Sequence, residues 1–241
     1  NRPAIERFFA GIPSPALTVA IEASGMWRGV YKILTDLGYE VKLANPVRVH
    51  NLVGEHKTDP ADANALADLL RGNLLPEVYI PDDDTLKLRD IARHRAKLVR
   101  LCTSLKNKVK AILLMDGKTP RITWTKKDLE MLKDEDRKIA NLVRIMETVN
   151  DEIRQVTNEV KRLSYSREKA MLLQTVPGIG EFSSVLILGE IGDVKRFRRA
   201  KSLVSYAGLC RGIHQTGKTS YSVPKKACNK WLKWILIECS G

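Results

Sequence analysis

Two carboxylates three residues apart stand at the head of a helical pattern. The stretch reads Lys57-Thr58-Asp59-Pro60-Ala61-Asp62, followed by Ala63-Asn64-Ala65-Leu66-Ala67-Asp68-Leu69-Leu70. Pro60 suits the first position of a helix, where its missing N–H loses nothing. Asp59 is then the expected N-cap, and Asp62 lies about one turn on, on the same face. Carboxylates converging at a helix start can hold a divalent metal ion. They can equally be capping groups, with Asp62 as an imperfect capping-box acid. Alone, the spacing favours capping. Glu22, which closes a strand-like run earlier in the chain, shifts the reading towards one site made of Glu22, Asp59 and Asp62.

These acids need elements to position them. Residues 4–10 read as the end of a helix, with Ile5, Phe8 and Phe9 on its apolar face. Leu17-Thr18-Val19-Ala20-Ile21 is a short, mostly apolar run of the kind found in buried parallel strands, and Glu22 ends it. Trp27, Val30, Tyr31 and Leu34 have helical spacing and predict a helix over 26–37, stopped by Gly38. Residues 39–44 read as a second strand, Asn45-Pro46 as a turn, and 78–80 as a further short strand. A strand, a helix and a strand in succession predict a parallel pair with a right-handed crossover. Functional groups in such sheets gather at the carboxyl ends of strands, which is where Glu22 stands.

The pattern changes after residue 81. Leu86, Leu88, Ile91, Leu98, Leu101, Leu105, Val109 and Ile112 predict a long helix over 84–115, rich in Arg and Lys, and Gly117 to Pro120 breaks it. Ile139, Leu142, Ile145, Val149, Ile153, Val156, Val160 and Leu163, near heptad spacing, place a second helix over 126–164. The pair reads as a helical hairpin or coiled coil suited to oligomerisation, or as a plain helical bundle. In Val176-Pro177-Gly178-Ile179-Gly180, a tight turn between two short helices matches a helix-hairpin-helix. Backbone N–H groups at Gly178 and Gly180 are therefore candidate phosphate contacts. A basic loop follows with Lys195, Arg196, Arg198 and Arg199, and Lys201 just beyond. The polar stretch 211–222 carries Thr216, Lys218, Thr219, Ser220 and Ser222. Lys225, Lys226, Lys230 and Lys233 come next, interleaved with Trp231 and Trp234. The hydroxyls suit phosphate contacts or a nucleophile, and residue chemistry alone favours the former.

Forty-one Lys and Arg against 28 Asp and Glu give a formal net charge of +13, which points to a polyanionic partner, most simply nucleic acid. No apolar run approaches the ~20 residues of a membrane helix, and no charged-then-apolar signal segment opens the chain. Cys102, Cys210, Cys228 and Cys239 form no C-x-x-C pair, so reduced thiols in a cytoplasmic protein are expected rather than a zinc site or disulfides.

Ala20-Ile21-Glu22-Ala23-Ser24-Gly25, Lys57-Thr58-Asp59-Pro60-Ala61-Asp62, Val176-Pro177-Gly178-Ile179-Gly180, Tyr206-Ala207-Gly208-Leu209 and Lys230-Trp231-Leu232-Lys233-Trp234 occur in this order over nearly the whole chain. In that combination the sequence resembles the DEDD-type insertion-sequence transposases related to the Piv DNA invertases. The resemblance implies an α/β plus α architecture in three parts. These are a RuvC-like (RNase H-like) domain over 1–81, a helical coiled-coil domain over 82–168, and a mostly helical C-terminal transposase domain with the helix-hairpin-helix over 169–241. It also implies a DNA recombinase of the cytoplasm, associated with the nucleoid, that works as a dimer or tetramer and is guided by a structured bridge RNA. Glu22, Asp59 and Asp62 match the family's acids and would hold Mg²⁺ or Mn²⁺. The family's first Asp is expected before Asn1 and its last helix beyond Gly241, so truncation at both ends is expected. The family's nucleophilic serine precedes the Gly of the polar stretch; Thr216 stands there, with Ser220 and Ser222 nearby. An RNase H-like nuclease of the junction-resolvase type and a catalytically impaired nucleic-acid-binding remnant are the alternatives.

Overall fold

The computed structural model describes residues 2–12, 17–54, 58–119, 121–216, 219–223 and 228–241; within 213–223 it describes the side chains of Thr219 and Ser222 alone. The chain divides into two compact units, Asn1–Ile80 and Pro81–Gly241.

In the first unit, helix α1 (Arg2–Phe9) leads to β1 (Thr18–Glu22), α2 (Trp27–Asp36), β2 (Glu40–Ala44), α3 (Pro46–Val53) and α4 (Asp59–Arg71). β1 and β2 pair in parallel, with Glu22 opposite Ala44, as the apolar runs separated by an amphipathic helix require. Leu34, Tyr39, Leu43, Ala44 and Ala65 form the buried core. The Tyr39 hydroxyl donates to the carbonyls of Phe9 and Ile12, tying α1 to the start of β2.

Asn45-Pro46 does not simply turn: the Asn45 side chain accepts from the Arg48 N–H at 3.1 Å and caps α3, with Pro46 at its first position. Residues 78–80 form no strand; one antiparallel bridge joins Glu77 to Ala44, and the Val78 N–H reaches the Leu43 carbonyl. Asp59 is not the N-cap of α4. Thr58 holds the extended backbone (φ −140°, ψ 141°) that a cap needs, and its hydroxyl accepts from the Ala61 N–H.

The second unit contains α5 (Asp83–Met115), α6 (Lys126–Glu135), α7 (Arg137–Tyr165), α8 (Glu168–Gln174), α9 (Glu181–Ile191), α10 (Ala200–Tyr206), β3 (Gly212–Thr216), β4 (Thr219–Val223) and α11 (Lys230–Glu238). The single long helix expected over 126–164 is interrupted at Asp136, whose backbone is extended (φ −156°, ψ 149°) and whose carboxylate accepts from the Lys138 N–H to start α7. α5 is about 50 Å long at 1.5 Å per residue. Leu88 and Ala92 share a buried cluster with Val156 and Val160, while Val109 and Leu113 share another with Ile139 and Val143. The ends are therefore exchanged, and α5 and α7 form an antiparallel hairpin that uses its apolar faces within the chain. α9 packs on both α5 and α7.

α9 is apolar nearly all round and lies at the centre: Ser183, Ser184, Val185, Leu186, Ile187, Gly189 and Glu190 are all buried. Gly189 permits the crossing with α5, since a Cβ there would lie 2.7 Å from the Arg89 backbone nitrogen. The polar stretch after Cys210 is an antiparallel hairpin, β3 against β4, with Thr216 paired to Thr219 and Gln215 to Ser220. Among the described residues no helix is long and apolar enough to cross a membrane, and all four cysteines are free.

Glu190 is fully buried and accepts two hydrogen bonds from Arg93, at 2.6 and 2.8 Å, and one from Asn229 at 2.8 Å. Removing one partner of such a pair leaves an uncompensated charge. Glu190→Gln is therefore expected to lower the unfolding free energy by about 3 kcal/mol, measured by urea denaturation; a loss below about 1 kcal/mol would contradict this placement.

Candidate functional site

Glu22 leaves the carboxyl end of β1, where the sheet hydrogen bonding stops: the Ala23 N–H still reaches the Ala44 carbonyl, and the chain then turns through Ser24. Asn45 starts α3 at the corresponding end of β2, and Thr58 starts α4. A cavity of about 230 Å³ opens between the end of β1 and helices α3 and α4. Val49, Val53, Ala65 and Leu66 supply apolar wall, and Glu22, His50 and Asp62 supply its ionisable groups. Two of the three acids therefore converge on one cleft. Asp59 is exposed at the first turn of α4 and does not line it. Three residues apart on α4, the two side chains leave the helix about 60° apart, and Asp62 is the one on the side of Ala65 and Leu66 that lines the cleft. His50 was not identified from the sequence; its place on α3 follows from the Asn45 cap, the one local signal that marks this helix.

The donor set bears on an oxygen-seeking cation. Mg²⁺ is commonly held by one or two carboxylates, with water and substrate phosphate completing its shell, and Glu22 and Asp62 are the carboxylates that line the cleft. Among the described residues, no group of three or more His, Cys, Asp or Glu side chains is placed to hold a metal ion.

The basic residues divide into those engaged internally and those presented outward. By sequence, residues 81–241 carry 33 Lys and Arg against 19 Asp and Glu, while residues 1–80 carry 8 against 9. The positive charge of the chain thus belongs to the second unit. On α5, Arg93 is engaged by Glu190; Arg89 donates to the Gly189 carbonyl at 2.9 Å, and Arg95 to the Thr157 hydroxyl at 2.9 Å. Burial pushes the Arg95 guanidinium below its usual pKa, with the ring of Phe182 4.3 Å away. Arg196 also turns inward, donating to the Ile191 carbonyl and stacking on Phe197 and Tyr206. Lys195, Arg198, Arg199, Lys201 and Lys230 are exposed.

At the Gly-containing turn, Gly178 has φ +87°, and a Cβ there would lie 2.1 Å from the Cys239 carbonyl oxygen. The Gly180 N–H donates to the Ser183 hydroxyl at 2.8 Å. Both glycines are thus engaged by the fold, and the Gly180 N–H already has a partner. Thr216 and Ser220 stand on β3 and β4, with their side chains outside the described set; Lys218, Lys225 and Lys226 lie outside the described residues altogether.

Acid-lined clefts paired with concentrated positive charge characterise proteins that handle nucleic-acid phosphodiesters, and sequence comparison agrees with that class. Residues 7–115 match a family described as "Transposase", and residues 170–241 match the "Transposase IS116/IS110/IS902 family". The chain belongs to this DEDD-type IS110/IS116 transposase family. A Sinorhizobium fredii relative, y4qE, is 29% identical over 228 residues, covering 91% of this chain and 56% of the relative. The transposase for insertion sequence element IS1328 of Yersinia enterocolitica is 26% identical over 235 residues, 94% of this chain and 70% of the relative. The pilin gene-inverting protein of Moraxella bovis is 25% identical over 217 residues, 83% of this chain and 58% of the relative. The chain thus spans between about half and 70% of the length of these relatives.

The cap assignment has a direct consequence. Thr58→Ala is expected to destabilise the fold by about 1 kcal/mol, whereas Asp59→Ala is expected to change stability by less than about 0.5 kcal/mol. Thermal and urea unfolding of the two variants compare them. A larger loss for Asp59→Ala would return the cap to Asp59.

Proposed function

We propose that the chain acts on DNA phosphodiesters as a transposase of the recombinase type. The observation that carries this reading is the meeting of Glu22 and Asp62 in one cleft at the carboxyl end of β1. Glu22 and Asp62 would hold a divalent cation, Mg²⁺ or Mn²⁺, with Asp59 one turn earlier on the same helix. An ion bound there would supply charge neutralisation at a phosphate oxygen. Oxygen donors from separate elements suit that task, and the parallel β1–α2–β2 unit is consistent with a RuvC-like arrangement. The nucleophile is a hydroxyl of the β3–β4 hairpin, Thr216 by its place in the family motif, with Ser220 on the facing strand as the alternative. Its oxygen bonds to phosphorus as the sugar oxygen leaves with a proton, which conserves the phosphodiester energy for rejoining.

Lys195, Arg198, Arg199, Lys201 and Lys230 contact the DNA backbone, with Lys218, Lys225 and Lys226 from the neighbouring segments. The α8–α9 turn serves as a helix-hairpin-helix, stiffened by the packing of Gly178. Guidance by a structured bridge RNA, assembly into a dimer or tetramer, and the division into parts at 81/82 and 168/169 follow from the family pattern.

A nicked suicide DNA substrate, from which the leaving strand diffuses away, tests the reading. The expected product is a protein–DNA adduct stable to detergent and dependent on Mg²⁺ or Mn²⁺. Thr216→Ala is expected to abolish it, and Asp62→Asn to reduce its rate by about 100-fold or more. Metal-dependent strand cleavage without an adduct would overturn the nucleophile assignment in favour of a nuclease.

A further inference from the structure

Four arginines lie along one stretch of α5, at 89, 93, 95 and 100, and the structure treats the last one differently. The N–H groups of Arg89, Arg93 and Arg95 are directed at a carbonyl, a buried carboxylate and a hydroxyl of the same unit. Arg100 is exposed, and it makes no hydrogen bond or ion pair among the described residues. It is nonetheless held in place. Its guanidinium carbon lies 4.6 Å from the ring centre of Trp231 and 5.1 Å from that of Trp234. The two indoles pack edge to face at 5.9 Å on α11, and Leu232 between them is fully buried.

Stacking uses the face of a guanidinium and leaves its in-plane N–H edge for hydrogen bonding. An exposed arginine ordinarily loses side-chain entropy when it captures a ligand. Two ring contacts remove much of that cost in advance. A planar fork of donors with unused capacity matches the paired oxygens of a phosphate. Lys97, one turn earlier on α5, and Lys230, beside Trp231 on α11, are exposed and have no acidic partner among the described residues. They add positive charge on the same two helices.

We infer that Arg100, braced on Trp231 and Trp234 and flanked by Lys97 and Lys230, is a phosphate-binding point for a nucleic-acid strand. The inference rests on the proposal that the chain works on nucleic acid, and it adds a contact formed by α5 and α11, separate from the basic loop at 195–201. The shared chemistry is the phosphodiester backbone, so DNA and RNA are two sources of one ligand. Contacts of this type fix the position of a strand without reading its sequence.

The test measures binding of the full chain to labelled mixed-sequence oligonucleotides, as single-stranded and duplex forms of DNA and of RNA, over a range of salt concentrations. Arg100→Ala is expected to weaken binding to at least one of these probes by about tenfold and to lower the slope of log affinity against log salt by about one. Arg100→Lys is expected to keep the slope while recovering only part of the affinity, because it retains the charge without the fork. The probes that respond identify whether DNA or RNA uses the site. Binding of Arg100→Ala to every probe within about twofold of the parent, with or without a fall in melting temperature, reduces Arg100 to a packing brace and overturns the inference. In that case, weakened binding by a Lys195→Ala, Arg198→Ala, Arg199→Ala triple variant leaves the proposed function standing. A parent chain that binds none of the probes at low salt overturns both.

Discussion

Glu190 is carried into the interior of the second unit by a helix that is enclosed on almost every side, and a buried carboxylate is tolerated only when its charge is matched and its lone pairs are used. Arg93 of α5 matches it with a two-pronged contact, Asn229 at the head of α11 donates to it, and the Tyr206 hydroxyl at the end of α10 donates to the Glu190 carbonyl. One residue thereby fixes α5, α10 and α11 around α9. The close crossing at Gly189 is a condition for this, since it brings Arg89 and Arg93 near enough to reach the α9 carbonyls and carboxylate. Replacement of the whole network by apolar groups need not weaken the fold, but loss of one member does. What the network adds is register: α5 can slide along α9 only by abandoning the fork.

That register places a basic helix against an aromatic one. With α5 fixed, Arg95 lies over Phe182, while Arg93 and Arg100 lie over Trp231. The second unit thus carries excess positive charge on a rigid frame, while the first is nearly neutral and sets two carboxylates in one cleft. The separation suits the proposed action on phosphodiesters. Cationic side chains beside the acids would compete with a metal ion for them, whereas cations on another unit attract the polyanion without that competition.

The strongest elements were legible because their signals are long. The apolar periodicity placed α5 to within a residue, and the alternation of apolar runs with an amphipathic helix gave the parallel β1–β2 pair. The interruption at Asp136 was not legible, because Leu129, Leu132 and Ile139 keep a helical rhythm across it and one extended residue does not disturb the pattern. The β3–β4 hairpin was hidden by its chemistry: hydroxyls and a His in place of apolar alternation read as a polar loop. At the candidate site, the residue types and spacing identified Glu22 and Asp62 as candidates. Which of two aspartates lines the cleft depends on how α4 packs against β1, which the three-residue spacing does not carry. The basic residues show the same limit. Arg93 and Arg100 are alike in sequence, and only packing separates the arginine engaged by Glu190 from the one whose donors face solvent.

The assignment of a cation to Glu22 and Asp62 is tested most directly by replacing Mg²⁺ with Fe²⁺ in the full chain and generating hydroxyl radicals at the bound ion, with the backbone cuts mapped by mass spectrometry. Radicals of this kind react close to where they form. The account predicts cuts clustered near residue 22 and at the head of α4 around residue 62, suppressed by excess Mg²⁺ and lost in Glu22→Gln. Cuts clustered elsewhere in the chain, or cuts near residue 62 that persist unchanged in Glu22→Gln, would contradict a site shared by these two acids.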